Sequence, residues 1–298
     1  MAVNLGGLAM KNPVTTASGT FAAGREYADF VDVSALGAVT TKGVSLNGWE
    51  GNACPRIAEV ASGMLNSIGL QNPGVAHLKA HELPWLAEVG ATTIVNVSGH
   101  SFDEYVQVIE ALEDAPVDAY EVNILPNVDA GGMTIGTHAE SVERVVGMCR
   151  AATKRPLIVK LTPNVTDIAE IARAAEAAGA DAISLINTLM GMAIDAERRR
   201  TVTARPLCGF SGPAIKPVAL RCVWQCHNAV KVPLLGMGGI ACGTDAVEFM
   251  LAGATAVAVG TANFVNPQAT IDVIDGIAEY CERHGVKDVN ELIGALQC

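Results

Sequence analysis

Along the 298-residue chain, short apolar runs rich in β-branched residues alternate with longer segments whose apolar positions recur at helical spacing. The short runs predict strands at 13–17, 38–41, 93–97, 120–123, 157–161, 182–186, 233–236 and 256–259. The longer segments predict helices at 26–32, 76–88, 102–113, 141–152, 165–178, 214–230, 244–251 and 266–284. Eight strands and eight helices in alternation over this length predict an α/β fold, a (β/α)8 TIM barrel, rather than an open doubly wound sheet. Near-repeats such as Ala177-Ala178-Gly179-Ala180-Asp181 and Leu251-Ala252-Gly253-Ala254-Thr255 mark helix ends that turn through glycine into the next strand. No linker or low-complexity segment divides the pattern, so residues 1–298 are expected to form a single barrel domain.

Composition narrows the function classes. With 50% hydrophobic and 17% charged residues, the chain can bury a large core. A formal net charge of -11 argues against a nucleic-acid or anionic-membrane surface, since lysine and arginine carry those contacts, and leaves small molecules or protein partners. The first ten residues lack the basic start and apolar stretch of a secretory signal. The longest uncharged stretch, 249–271, contains Asn263, Asn266, Pro267 and Gln268, and is read as a buried strand flanked by loops instead of a membrane span. Eight cysteines, at 54, 149, 208, 222, 226, 242, 281 and 298, show no repeated C-x-x-C pairing. Neither a disulfide framework nor a zinc ribbon is indicated, and a reducing, cytoplasmic setting is expected. Cys222 and Cys226, beside His227, would share one helix face, where packing is the expected role because a third and fourth metal ligand are not evident.

In a (β/α)8 barrel, chemistry collects on the loops that follow the strands. Here those positions carry Ala17-Ser18-Gly19, Lys42-Gly43, Asn96, Asn123, Lys160, Asn187-Thr188, Gly238-Gly239 and Gly260-Thr261. The glycines after the last two strands, each followed by a predicted helix, can expose backbone N–H groups to a phosphate at a helix N-terminus; tight turns are their other common use. Lys42 and Lys160 end otherwise apolar strands, where an unpaired ammonium is costly. Each therefore either faces an anion or electron-rich ring, or pairs with a neighbouring carboxylate. The amides of Asn66, Asn123, Asn127 and Asn187 can donate and accept, which suits a planar heterocycle bearing both C=O and N–H groups.

Further runs add to these: K-N-P at 11–13, S-G-M-L-N-S-I-G-L-Q-N-P-G at 62–74, Y-E-V-N-I-L-P-N at 120–127, K-L-T-P-N-V at 160–165, I-N-T-L-M-G at 186–191, S-G-P-A-I-K-P at 211–217, G-M-G-G at 236–239 and A-V-G-T-A-N-F at 258–264. Over nearly its whole length the chain thus resembles the class 1 dihydroorotate dehydrogenases, FMN-containing (β/α)8 barrels of pyrimidine biosynthesis, and most of all the class 1B catalytic subunit. The resemblance implies oxidation of dihydroorotate to orotate, with FMN as hydride acceptor and NAD as the final acceptor. Electrons would pass through a separate subunit carrying FAD and [2Fe-2S], since this chain has no cysteine cluster for such a centre. It further implies a homodimer joined to that subunit as a heterotetramer. Alternatives are the fumarate-linked class 1A enzyme, another FMN-dependent pyrimidine reductase, a catalytically impaired FMN and pyrimidine binder and, more remotely, a non-redox phosphate-binding barrel.

Carried over to matching positions, the resemblance assigns substrate binding to Lys42, Asn66, Ile68, Gly69, Leu70, Asn123, Asn127, Asn187 and Thr188. It assigns FMN to Ser18, Lys42, Gly43, Asn96, Asn123, Lys160, Ile186, Gly212, Gly238, Gly239, Gly260 and Thr261, with Lys160 stabilising negative charge on the reduced ring. One departure stands out. The family signature is Asn-x-Ser-Cys-Pro-Asn, its cysteine being the catalytic base, but here Asn123-Ile124-Leu125-Pro126-Asn127 is one residue shorter and holds neither acid nor base. A one-residue deletion moves the following chain by roughly 3.5 Å and inverts side-chain direction in extended backbone. No catalytic base is therefore assigned, and Lys42 is taken as supporting. Three readings follow: a true loss that slows proton removal on the order of 10²- to 10⁴-fold; a nonstandard residue between Leu125 and Pro126 that the written sequence omits; or replacement by Thr134, whose hydroxyl would need its own base.

Overall fold

The computed structural model describes residues 1–124 and 135–297. Among them, eight parallel strands form one sheet: β1 Val14–Thr16, β2 Val39–Thr40, β3 Thr93–Val97, β4 Ala119–Asn123, β5 Leu157–Lys160, β6 Ala182–Leu185, β7 Leu234–Met237 and β8 Ala256–Val259. They follow chain order around the sheet, and β8 pairs with β1. The seam between β1 and β2 is closed largely by threonine side chains. Gly37 N–H donates to Val14 O at 2.9 Å, Thr40 N–H donates to Thr16 Oγ1 at 3.1 Å, and the Thr15 and Thr40 hydroxyls meet at 3.1 Å. Each strand expected from the sequence is present to within two residues, because a run buried on both faces must be apolar throughout.

The outer ring holds a helical stretch over 75–88, then α1 Phe102–Leu112, α2 Ala139–Ala152, α3 Ile168–Ala177, α4 Lys216–His227, α5 Gly243–Leu251, α6 Ala262–Val265 and α7 Ala269–His284. In α1, Tyr105, Val108, Ile109 and Leu112 form the buried stripe expected of a helix laid on a sheet. Cys222 and Cys226 are buried on the inner face of α4, and burial pushes the Cys226 thiol up to about 12, as suits a packing residue. Among the described residues no helix is long and apolar enough to cross a membrane, and no group of three or more His, Cys, Asp or Glu could hold a metal ion.

One expectation needs correction, and further elements lie outside the barrel. The helix expected at 26–32 is absent. Instead, a 3₁₀ turn at Arg25–Tyr27 follows left-handed Gly24, and the Asp32 carboxylate then accepts from Ser34 N–H at 2.9 Å to cap a second turn at Val33–Ala35. Residues 25–30 are mostly exposed, including Phe30 at 55%, so no apolar stripe exists to stabilise a helix this short. The buried strand within 249–271 is β8, flanked as expected by short loops at 252–255 and 260–261, with helices beyond them. A four-stranded antiparallel sheet also forms outside the barrel, in the order Leu189–Gly191, Cys208–Ser211, Gly63–Asn66, Ile57–Val60. Its strands belong to the segments after β2 and β6, which places it on the C-terminal face. A hairpin of Val3–Leu5 and Leu8–Met10 adds to the opposite end, where Gly6 packs on the backbone of Asp181 just ahead of β6.

Closure of the β1–β2 seam depends on close backbone approach: a Cβ at Gly37 would lie 2.1 Å from Asn12 O. Gly37→Ala is expected to lower stability on the order of 1–3 kcal/mol, seen as a reduced urea midpoint. Gly147→Ala, at a helical glycine with open space around it, should raise stability by about 0.5–1 kcal/mol. Equal midpoints for the two variants would remove the packing argument.

Candidate active site

The C-terminal end of the barrel gathers polar side chains because strand register brings them level. Asn96 on β3 is opposite Glu121 on β4, Asn123 is opposite Lys160 on β5, and Lys160 is opposite Ser184 on β6. All are buried in an interior otherwise lined by aliphatic residues. Glu121 is fully buried. It accepts from Asn96 Nδ2 at 2.5 Å and from Ser184 Oγ at 2.7 Å, and lies 3.7 Å from Lys160 Nζ. Lys160 Nζ also lies 3.3 Å from Ser18 Oγ, linking β5 to the loop after β1. Of the two uses open to Lys160, the carboxylate pairing is therefore present, and its partner is a residue that sequence reasoning missed. The available signal was a glutamate in a strand expected to be wholly buried, two positions from Asn123 and so on the same face.

From Asn96 a chain of amides crosses the mouth. Asn123 Nδ2 donates to Asn96 Oδ1 at 3.4 Å, Asn187 Nδ2 donates to Asn123 Oδ1 at 3.2 Å, and Thr188 N–H donates to Asn187 Oδ1 at 2.9 Å. The Tyr105 hydroxyl donates to Asn123 O at 2.9 Å, anchoring the end of β4 to α1. Asn164, which the site assignment omitted, donates to Thr188 O at 3.0 Å and accepts from Met190 N–H at 2.9 Å. It thereby ties the loop after β5 to the loop after β6.

Asn66 stands on the antiparallel sheet, where its Nδ2 donates to Gly209 O at 3.3 Å. Gly209 is sandwiched between Asn66 and Thr188: a Cβ there would lie 2.4 Å from Thr188 Oγ1 and 3.1 Å from Asn66 Nδ2. The sheet thus brings Asn66 to the edge of the amide chain. Ile68, Gly69 and Leu70 continue from it, held by Asn52 N–H on Ile68 O at 3.0 Å and Asn72 Nδ2 on Leu70 O at 2.8 Å. Gly69 and Leu70 both have left-handed backbone. Among the described residues no hydrogen bond joins these three residues to Asn123 or Asn187. Asn127, Leu125, Pro126 and Thr134 lie outside the described residues.

On the other side, Ile186 borders Gly238, Gly239 packs on the backbone of Lys216, Gly212 packs on Gly63, and Gly260 approaches Ala17. Thr261 Oγ1 and Ser211 Oγ are 2.8 Å apart. The N–H groups of Gly238, Gly239, Gly260 and Thr261 have no acceptor among the described residues. These N–H groups lie in the loops that precede α5 and α6, Thr261 being the N-cap residue of α6. Ahead of α5, Asp245 already accepts from Ala241 and Cys242 N–H, and α6 is only four residues long.

Two further features await a partner. Ser98 Oγ is buried without a hydrogen bond, beside Gly43 and Asn96. Lys42 is partly buried, with no ion pair or side-chain hydrogen bond among the described residues; burial first, and then the nearby Lys160 charge, pull its pKa below the ordinary lysine value. An orphaned buried hydroxyl, an unpaired ammonium, a buried lysine and unclaimed loop N–H groups fit a planar ring with carbonyl acceptors and a phosphate tail, which is the chemistry of FMN.

Fold and site together define a (β/α)8 barrel whose mouth is built for a phosphate-bearing planar cofactor and a small heterocyclic ligand. The chain belongs to the dihydroorotate dehydrogenase family: the family model described as "Dihydroorotate dehydrogenase" matches residues 1–281. It is similar to proteins named "Dihydroorotate dehydrogenase B (NAD(+)), catalytic subunit". The one from Alkaliphilus metalliredigens is 57% identical, with 99% of this chain and 98% of the relative aligned. The Bacteroides fragilis protein is 54% identical over 100% and 99%, and that of Lachnoclostridium phytofermentans 53% identical over 99% of each.

A depressed lysine pKa in the folded state is a cost that is full below the folded value and vanishes above the unfolded one. Lys42→Met should therefore raise the stability of the FMN-free protein at neutral pH. The gain should shrink as pH rises through the folded pKa toward that of a free lysine, followed as urea midpoints between pH 7 and pH 10.5. A gain that is independent of pH would mean that Lys42 packing, not its charge, is at issue.

Proposed function

We propose that this chain oxidises dihydroorotate to orotate as the FMN-containing catalytic subunit of an NAD-linked dihydroorotate dehydrogenase, in de novo pyrimidine biosynthesis. The observation that carries this reading is the chain of amides from Asn96 through Asn123 and Asn187 to Thr188, flanked by Lys42 and Lys160. Relatives covered almost end to end and named as NAD-linked catalytic subunits support it, and favour it over the fumarate-linked alternative. They also support a separate electron-transfer subunit, for which FAD and [2Fe-2S] are the fitting carriers. A homodimer within a heterotetramer is carried over from the family resemblance, a single catalytic domain over 1–298 from the unbroken alternation of elements, and a cytoplasmic setting from the cysteine usage.

In this reading Ser18, Gly43, Asn96, Lys160, Ile186, Gly212, Gly238, Gly239, Gly260 and Thr261 hold FMN, with Lys42 and Asn123 shared between cofactor and substrate. Bound FMN supplies the acceptor for the hydride leaving C6 of dihydroorotate. Lys160, itself buried, would present fixed positive charge where negative charge collects during the reaction. Lys42, without an ion pair or side-chain hydrogen bond among the described residues, is suited to the substrate carboxylate. Asn66, Asn123, Asn187 and Thr188, with Ile68, Gly69, Leu70 and Asn127, would hold the substrate ring.

The proton leaving C5 requires a base, and the shortened signature at Leu125-Pro126 supplies none. That departure favours a second reading, a protein that binds FMN and orotate but turns over slowly.

Three measurements test the proposal. The purified protein should be yellow and bind orotate in preference to uracil, and Asn187→Ala should weaken orotate binding about tenfold, roughly 1.4 kcal/mol. Dihydroorotate should bleach the flavin absorbance within seconds if a base is present, and far more slowly if the signature is truly shortened. Intact mass separates those cases: a chain heavier than 30.8 kDa by about one residue has a further residue in the signature. A colourless protein that ignores orotate would overturn the assignment.

A further inference from the structure

Building on that functional reading, we propose that Glu121 is a positioning residue: it sets the direction of the amide chain Asn96–Asn123–Asn187 and offsets part of the Lys160 charge. A carboxylate can only accept hydrogen bonds. At 2.5 Å from Glu121 Oε2, Asn96 must therefore present its NH2 group, which turns its Oδ1 toward the mouth. Asn123 then has to donate to Asn96 at 3.4 Å, Asn187 has to donate to Asn123 at 3.2 Å, and the Asn187 oxygen is left for Thr188 N–H at 2.9 Å. One polarity thus runs from a buried charge through three amides on β3, β4 and the loop after β6. Asparagine oxygen and nitrogen are nearly the same size, so sterics alone would not choose this orientation; an acceptor-only group at the head of the chain does.

This polarity determines what the site can recognise. Each of the three amide nitrogens spends one N–H inside the chain and keeps a second. The array therefore offers one free N–H per amide, which matches carbonyl and carboxylate oxygens, and each Oδ1, having accepted one bond, keeps a lone pair that a ring N–H can use; the polarity fixes where each stands. Ser184, donating to Glu121 Oε1 at 2.7 Å, holds the carboxylate's other oxygen so that Oε2 stays aimed at Asn96 and Lys160. The same carboxylate lies 3.7 Å from Lys160 Nζ and lowers the net positive charge that the lysine offers to a cofactor above it.

Glu121→Gln tests both consequences, since it keeps size but removes the charge and introduces a donor that Asn96 can meet with its oxygen. With FMN bound, the variant should lose about tenfold or more in orotate affinity, read from the flavin absorption shift. Its flavin midpoint potential should move positive, a tenfold change in the two-electron equilibrium being about 30 mV. An FMN-loaded variant with wild-type potential and wild-type orotate affinity would overturn the proposal, because a purely structural glutamate replaced by its isostere leaves both unmoved. A measurement on the unmodified protein covers the case in which the variant does not fold. In side-chain amide NMR, the Asn96 NH2 should show one strongly downfield proton protected from exchange. An Asn96 amide exchanging at the rate of an exposed one would likewise overturn the proposal. Failure of the functional reading looks different: there the wild-type protein itself would hold neither FMN nor orotate.

Discussion

The active end of this barrel rests on a charge pair between neighbouring strands, Lys160 on β5 and Glu121 on β4. Alone, either charge would be expensive in the barrel interior; removing one partner of such a buried pair commonly costs 3–5 kcal/mol, roughly. Parallel register makes the pairing possible by setting Asn123 against Lys160, so that Glu121, two residues earlier on the same face, reaches the ammonium from below. The cost of burying both ions is offset only because each is hydrogen bonded: Glu121 to Asn96 and Ser184, Lys160 to Ser18. Four strands and the loop after β1 are therefore committed to one arrangement.

Charge is handled differently nearer the opening. Among the described residues Lys42 lacks a carboxylate partner, and the loops after β7 and β8 leave backbone N–H groups unclaimed. The Glu121 network satisfies its own polar groups, whereas these remain for what binds at the mouth. Glycine is required at that boundary: Gly238 and Gly239 both have positive φ, and a Cβ on Gly239 would lie 2.8 Å from the Lys216 side chain and 2.9 Å from its backbone nitrogen. The antiparallel sheet contributes Asn66 from outside the barrel, and Gly209 lets that residue approach Thr188.

The barrel was legible because its strands are buried on both faces, which forces continuous apolar runs, and because glycine ends the intervening helices. Segments whose structure depends on distant partners were not. The 26–32 segment has a plausible helical composition but no apolar stripe, and capping by Asp32 decides its turns. The strands of the antiparallel sheet are three or four residues long and partly exposed, so their pattern does not rise above loop composition. Asn123, Asn187 and Lys160 could be placed from strand ends alone, since strand termini determine which residues share the mouth. Glu121 could not be assigned a partner, because its role exists only once β3, β4, β5 and β6 are in register. The direction of the amide chain has the same origin: three asparagines reveal capacity, and only the carboxylate beside one of them gives it a sense.

Recognition and proton removal consequently rest on different parts of this chain. Asn123, the last residue of β4, is held by Asn96 and Asn187 through its side chain and by Tyr105 through its carbonyl. All three contacts come from outside the segment that follows it. Shortening the signature after Ile124 therefore leaves the upstream half of the ligand site anchored, and the change falls on Leu125, Pro126 and Asn127. A site organised in this way can keep its affinity for a pyrimidine while its capacity to take a proton from C5 varies independently. In the proposed function, affinity for orotate draws on the buried Glu121 network together with Asn127, whereas the rate of flavin reduction turns on whether the stretch between Ile124 and Asn127 supplies a base.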